Sequence, residues 1–157
     1  MTKERSLTLS DFTQKKLVDY KVYVFDLDNT LYLHKVNDTT YHKNLKHNLI
    51  QLKDKDKILC IASHNVNPEK FMKRLGILDL FDKILYEHQA LNPRINDISQ
   101  YTKKSKMIKE LLSETKYTKE DVVFFDDYNY NIKDVSEFGI RCVLVDELKG
   151  VDFTELL

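Results

Sequence analysis

Short runs of apolar residues alternate along this chain with longer amphipathic stretches. Five runs are rich in Val, Ile, Tyr and Phe and nearly continuous in apolar character: Lys21–Asp26, Lys57–Ala62, Lys83–Tyr86, Asp121–Asp126 and Ile140–Val145. Strands that are covered on both faces of a parallel sheet have this character. The pattern therefore predicts a central parallel sheet of about five strands.

The stretches between these runs have helical spacing. In NPEKFMKRLGI, Asn67 is a candidate cap, Pro68 suits the first helical position and Gly76 can end the helix. SKMIKELLSETK predicts a helix capped by Ser105, and NYNIKDVSEFGI predicts a helix that stops at Gly139. Strands that alternate with helices indicate an α/β fold, a doubly wound three-layer sandwich with right-handed crossovers.

Length and composition favour one globular domain over residues 1–157, in which residues 1–20 form an N-terminal arm or helix. The chain is 42% hydrophobic and 32% charged, and its 25 basic residues balance its 25 acidic ones. A neutral balance does not favour a nucleic-acid partner. The polar N-terminus has no apolar signal core and no run approaches a membrane span, so we expect a cytoplasmic protein with no membrane partner. Cys60 and Cys142 lie in apolar runs and are expected to be reduced core thiols.

Polar residues stand where the predicted strands end. Asp26, Asp28 and Thr30 follow the first strand, and Ser63 follows the second. Two adjacent acids, Asp126 and Asp127, end the fourth strand, and a lysine opens the helix before it. Because ligands bind outside the carboxyl ends of the strands in such sheets, these side chains should meet at one edge.

Four acids at one edge repel one another unless a cation lies between them. Mg²⁺ prefers oxygen ligands and is the usual ion beside phosphates. One carboxylate could then form an aspartyl-phosphate, while a second carboxyl protonates the leaving oxygen and activates water. A hydroxyl, an ammonium and helix N-terminal amides would bind the phosphoryl oxygens. The residues therefore predict magnesium-dependent phosphoryl transfer.

The same segments resemble the four motifs of the haloacid-dehalogenase superfamily. VFDLDNTLY resembles the first motif, whose phosphatase form reads Asp-x-Asp-x-Thr. IASHN resembles the second, SKMIKELL the third and FFDDYNYNIKDV the fourth, and RLGILDLFDKIL is also typical of the superfamily. The stretch FFDDYNYNIKDVSEFGIRCVLV is most similar to the magnesium-dependent phosphatase-1 type. The resemblance spans about Lys21 to Val145.

The resemblance implies a role for each acid. Asp26 would be the nucleophile and a ligand of Mg²⁺. Asp28 would be the general acid and base, with its backbone carbonyl on the metal, and Thr30 would orient this loop. Asp126 would bind the ion, with Asp127 as a direct or water-mediated partner.

The remaining implied residues bind substrate or support the site. Ser63 would hold a phosphoryl oxygen through its hydroxyl, with His64 and Asn65 at the edge of the substrate. Asn131 would support the acidic pair, and Tyr128 and Tyr130, which flank that pair, line the cleft or pack.

Three lysines compete for the position of the catalytic ammonium. Lys106 is favoured because it directly follows the candidate cap Ser105, while Lys103 and Lys104 lie close by. The other histidines show no metal-ligand spacing with cysteine and are left out of the site: His34, His42, His47 and His88.

The spaces between motifs are too short for a cap domain. Leu31 to Lys57 can hold a small flap and a helix around Asn44–Leu52, and Ser63 to Lys106 holds one helix, the third strand and a connection over Glu87–Thr102. An open site admits a large substrate, such as a phosphorylated protein side chain, or depends on a partner to exclude water. The resemblance implies hydrolysis of phosphotyrosine or of a sugar phosphate. A polynucleotide 3′-phosphatase, a phosphotransferase and a non-catalytic phosphate-binding module are the alternatives.

Overall fold

Five parallel strands form the centre of the protein. The computed structural model describes residues 15–37, 39–87 and 101–157. The strands are β1 (Val22–Phe25), β2 (Ile58–Ala62), β3 (Lys83–Leu85), β4 (Val122–Asp126) and β5 (Arg141–Leu144). Each coincides with a predicted apolar run to within two residues, which confirms the predicted sheet.

The strand order is β3-β2-β1-β4-β5. From β1 the chain proceeds outward through β2 to β3, then returns to the other side of β1 to form β4. In the register, Phe25 of β1 pairs with Ile61 of β2 and with Phe125 of β4. The reversal beside β1 is a topological switch point, where the loops that follow β1 and β4 diverge and leave room for a ligand.

In the described part of the chain, four helices connect the strands: α1 (Thr39–Asp54), α2 (Pro68–Leu75), α3 (Lys104–Ser113) and α4 (Asn129–Glu137). Gly76 ends α2 with a φ of 72°, as its sequence position predicts. The predicted caps are less accurate. Asn67 precedes α2 but makes no side-chain capping bond, and Ser105 lies inside α3, whose cap position is Lys103.

Two apolar layers cover the two faces of the sheet. Tyr23 and Phe25 of β1 pack in the layer that also holds the buried face of α1. Val24 packs in the opposite layer with Ile108 of α3 and Val135 of α4. Side chains of a strand point alternately to opposite faces, so one strand contributes to both layers. The arrangement is the predicted three-layer α/β sandwich.

Some predictions concern segments outside the described residues. Most of the N-terminal arm, residues 1–14, and most of the connection over Glu87–Thr102 are among them. Cys60 is buried and Cys142 partly buried, and both thiols are free, as predicted. In the described ranges, no helix combines the length and the apolar character that a membrane crossing requires.

Candidate active site

The carboxylate of Asp26 lies at the end of β1 and is almost fully buried. Its Oδ2 accepts a hydrogen bond of 3.0 Å from the hydroxyl of Thr30, and its Oδ1 accepts one of 3.0 Å from the ammonium of Lys104. Thr30 therefore orients Asp26 directly, through the side chain. Both contacts leave the carboxylate fixed at the centre of the switch point.

Lys104 joins the ends of three strands. Its buried ammonium donates to Asp26, to Oδ2 of Asp126 at 3.1 Å and to the carbonyl of Ala62 at 2.7 Å. Burial, the largest single effect, lowers the pKa of this lysine, but attraction to the two carboxylates outweighs it and the pKa is raised. Lys104 is therefore a charged ammonium in the interior.

The structure corrects the prediction that Lys106 is the lysine of the site. Lys106 is exposed, whereas Lys104 is 1% exposed and contacts the carboxylates. On a helix, residues two positions apart lie on opposite sides. Lys104 shares the buried face of α3 with Ile108 and Leu111, and Lys106 therefore points to solvent. The apolar spacing of this helix was the signal that could have identified Lys104 from the sequence.

The acidic pair at the end of β4 completes the charged cluster. Asp126 is fully buried and accepts hydrogen bonds from the backbone N–H of Tyr128 at 2.9 Å and from the amide of Asn131 at 3.1 Å. Burial raises the pKa of Asp126. Burial also raises the pKa of Asp127, to about 8, helped by a hydrogen bond and repulsion from Asp26.

Three of these carboxylates fit a hard divalent cation. Asp26, Asp126 and Asp127 each offer an oxygen, and the three oxygens lie within 4.8 Å of one another. Burial first, and then Asp26 and Asp126, raise the pKa of Asp127, so a cation at this position would offset both the lost hydration and the repulsion of the carboxylates. An all-oxygen donor set of this kind suits Mg²⁺, which is commonly held by a few carboxylates beside a phosphate.

The end of β2 brings Ser63, His64 and Asn65 to the same region. Ser63 is fully buried, and its hydroxyl oxygen accepts the backbone N–H of Asn65 at 3.0 Å. His64 contacts the carbonyl of Thr102 at 2.9 Å through Nε2 and packs against Tyr101 with its ring tilted by 34°. Burial and then the charge of Lys104 lower the pKa of His64, so its ring is neutral near pH 7.

A buried acid that the sequence did not indicate holds this wall in place. Glu87 follows β3, and both its carboxylate oxygens accept the backbone N–H of Thr102, at 3.0 and 2.9 Å. Glu87 is 3% exposed. The contact joins the end of β3 to the residues just before Lys104, and it thereby fixes where α3 begins.

These side chains surround an open cleft of about 720 Å³. Asp26, Asp28, Lys104, Asp126 and Asp127 line it, and His64, Asn65, Tyr101, Tyr128 and Asn131 complete its described wall. Tyr128 is 50% exposed and stands close to Tyr130, which lies outside the cleft wall. No cap domain covers the cleft within residues 15–37, 39–87 and 101–157.

Asp28, like Asp127, is partly exposed, whereas Asp26 and Asp126 are buried. Its Oδ1 lies 2.6 Å from Nε2 of His34, a histidine that the sequence left out of the site. His34 carries no sequence signal, since its distance from Asp28 depends on the turn between them. The structure thus brings together every predicted acid, selects Lys104 among the candidate lysines, and adds a buried glutamate and a histidine.

Solved structures with this fold include several hydrolases, all of low sequence identity. The phosphatase-containing N-terminal part of a Bacteroides fragilis protein, in complex with Mg, is 17% identical with a TM-score of 0.65, over 85% of this chain and 38% of that one. A haloacid dehalogenase-like hydrolase from Streptococcus pneumoniae is 16% identical with a TM-score of 0.59, over 88% and 90% of the two chains. A predicted phosphoglycolate phosphatase from Haemophilus somnus is 15% identical with a TM-score of 0.59, over 86% and 88%. The fold is therefore that of the haloacid-dehalogenase superfamily.

A family model narrows the class further. The model described as acid phosphatase matches residues 37–156, about three quarters of the chain. The chain therefore belongs to the acid phosphatase family and is a phosphatase of the haloacid-dehalogenase superfamily. No curated protein sequence matches it.

Proposed function

We propose that the chain is a magnesium-dependent phosphomonoesterase in which Asp26 accepts the phosphoryl group. The observation that carries this proposal is the contact of one buried ammonium, Lys104, with both Asp26 and Asp126. Lys104 places a positive charge beside the Asp26 carboxylate that would attack phosphorus, and the hydrogen bond from Thr30 fixes its direction. An ordinary capping or structural aspartate would need neither partner.

Mg²⁺ would be held by Asp26, Asp126 and Asp127, with the backbone carbonyl of Asp28 as a further ligand. When bound, the ion supplies charge stabilisation for the transferring phosphoryl oxygens. Asn131 and the backbone N–H of Tyr128 donate hydrogen bonds that hold Asp126 in position, as is usual for carboxylates that bind a metal. The structure from Bacteroides fragilis, which is complexed with Mg, supports magnesium as the ion.

The protein's own side chains would carry the two half-reactions. In the first, Asp26 forms a bond to phosphorus, the ester bond breaks, and Asp28 gives a proton to the leaving oxygen. In the second, Asp28 takes a proton from water, which attacks phosphorus and releases Asp26 and inorganic phosphate. Asn65, which lines the cleft, would hold a phosphoryl oxygen, and the buried hydroxyl of Ser63, which accepts the backbone N–H of Asn65, would support it.

The open cleft supports a substrate with a bulky leaving group. Asp28 keeps 34% of its side chain exposed, so the leaving group can extend into solvent or lie along the wall formed by Tyr101 and Tyr128. A phosphorylated protein side chain, such as phosphotyrosine, or a sugar phosphate fits this description. The resemblance to the magnesium-dependent phosphatase-1 type remains a prediction of the sequence.

The test is hydrolysis of p-nitrophenyl phosphate with Mg²⁺ or with EDTA by the native chain, Asp26→Asn and the control Asp56→Asn. Asp56 is exposed and has a φ of 61°, a conformation that asparagine adopts readily. We expect turnover that needs Mg²⁺, vanishes in Asp26→Asn and persists in the control. Acid-quenched native enzyme should carry phosphate in a hydroxylamine-sensitive bond. Turnover by folded Asp26→Asn would refute the role of Asp26.

A further inference from the structure

The turn after β1 brings His34 back to Asp28, six residues earlier. Asn29 adopts a φ of 62°, and its backbone N–H donates to the carbonyl of Tyr32 at 2.7 Å. The side-chain oxygen of Asn29 then accepts the backbone N–H of His34 at 3.3 Å. These hydrogen bonds close the turn, and His34 at its end lies beside Asp28 at its start.

The ring of His34 is held by aromatic neighbours. It stacks on Tyr32 with 4.5 Å between ring centroids and 15° between planes. Phe71 of α2 presents its edge to both rings, at 5.3 Å from Tyr32 and 6.1 Å from His34. Offset-stacked and edge-to-face pairs of this kind are favourable beyond the burial of the rings. The imidazole therefore has a defined orientation although 39% of its side chain is exposed.

The contact between the two side chains is short and uses one oxygen of Asp28. Nε2 of His34 lies 2.6 Å from Oδ1. Among the described residues, no hydrogen bond to Oδ2 of Asp28 is found. Asp28 lines the cleft, so a carboxyl held by Oδ1 keeps Oδ2 available for the leaving oxygen.

We propose that His34 is a positioning residue that holds the Asp28 carboxyl in the orientation needed for proton transfer to the leaving group. This inference rests on the proposed role of Asp28 as general acid. A half-exposed aspartate otherwise moves among several rotamers, and a general acid must lie within hydrogen-bond distance of the atom it protonates. Exposed ion pairs usually contribute little because both partners lose freedom, but Tyr32 and Phe71 have already ordered this ring.

A positioning role makes a prediction that a purely structural role does not. A leaving group of low pKa departs as an anion and needs little help from an acid, whereas an alkoxide needs its proton. Loss of His34 should therefore matter most for poor leaving groups. The ratio kcat/KM includes every step up to departure of the leaving group, and it separates this effect from hydrolysis of the phosphoenzyme.

The experiment measures kcat/KM with Mg²⁺ for a series of phenyl phosphates of increasing leaving-group pKa and for one alkyl phosphate. It compares the native chain, His34→Ala, His34→Gln and the control His47→Gln, an exposed histidine on α1. We expect His34→Ala to lose about 10- to 100-fold on the alkyl phosphate and less than about threefold on p-nitrophenyl phosphate. His34→Gln, whose amide nitrogen can occupy the place of Nε2, should recover most of the loss, and the control should match the native chain.

Equal losses of His34→Ala on all substrates, or no loss on any, would overturn the positioning role while leaving the proposed phosphatase intact. Failure of His34→Gln to recover activity on the alkyl phosphate would also count against it, because the hydrogen bond is the feature that the glutamine restores. Absence of magnesium-dependent turnover by the native chain would overturn the proposed function and this inference together.

Discussion

Replacing Lys104 by methionine tests the charged cluster at its most buried point. The change keeps the length of the side chain and removes three hydrogen bonds, to Asp26, Asp126 and the carbonyl of Ala62. At an effective dielectric constant near 20, attraction across 3 Å is about 5 kcal/mol for each ion pair. Burying each ion costs several kcal/mol of lost hydration, which offsets much of this attraction. Removing one partner leaves the remaining charges buried without it, so the free energy of unfolding should fall by about 3–5 kcal/mol.

The loss of stability in Lys104→Met should depend on pH, and the titration of the carboxylates determines its direction. Burial raises the pKa of Asp126, and Lys104 opposes that shift. Without the ammonium, the folded-state pKa rises further above the unfolded value, and the folded protein retains a proton that the unfolded chain releases. The stabilising effect of that proton is complete below the unfolded pKa and disappears as pH rises through the folded pKa. The loss of stability should therefore be larger at pH 8 than at pH 5.

Urea unfolding in EDTA at the two pH values measures this loss, with Lys106→Met as the matched control. Lys106 is exposed on the opposite side of α3, so its replacement should change the free energy of unfolding by no more than about 0.5 kcal/mol. We also expect Lys104→Met to lose phosphatase activity and the control to retain it. Equal effects of the two substitutions, or a loss in Lys104→Met that is independent of pH, would refute the reasoning.

Two further predictions concern the fold away from the acids. Burial raises the pKa of Cys60 and of Cys142 to about 12, so iodoacetamide at pH 8 should alkylate both in the native protein about a thousandfold more slowly than in urea; comparable rates would contradict this. Gly150 has a φ of 74°, and an added Cβ would lie 2.5 Å from the ring of Tyr41. Gly150→Ala should therefore lower the free energy of unfolding by about 2–4 kcal/mol. The control Gly76→Ala, whose added Cβ meets only a lysine side chain at 3.9 Å, should lower it by about 1 kcal/mol. Equal losses would show that the ring of Tyr41 moves aside at no cost.

The sequence determined the sheet and the acidic residues of the site. Strands buried on both faces must be nearly continuous runs of apolar residues, so all five strands could be predicted without knowledge of tertiary contacts. Parallel strands share one carboxyl edge, and this places Asp26 and Asp126 together once the strands are known. The resemblance to the haloacid-dehalogenase motifs covered the same residues and named the class of enzyme that the family match then confirmed.

Tertiary structure decided which lysine enters the site and which side chains hold the acids in place. The apolar spacing of α3 places Lys104, and not Lys106, on its buried face, but only the packing of α3 on the sheet brings the ammonium of Lys104 to Asp26 and Asp126. Glu87 approaches Thr102 only because β3 and α3 meet at one edge, although fifteen residues separate the two. His34 approaches Asp28 only through a turn in which Asn29 has positive φ. Local pattern encodes burial and periodicity, whereas these contacts depend on distances between segments that only the folded chain fixes.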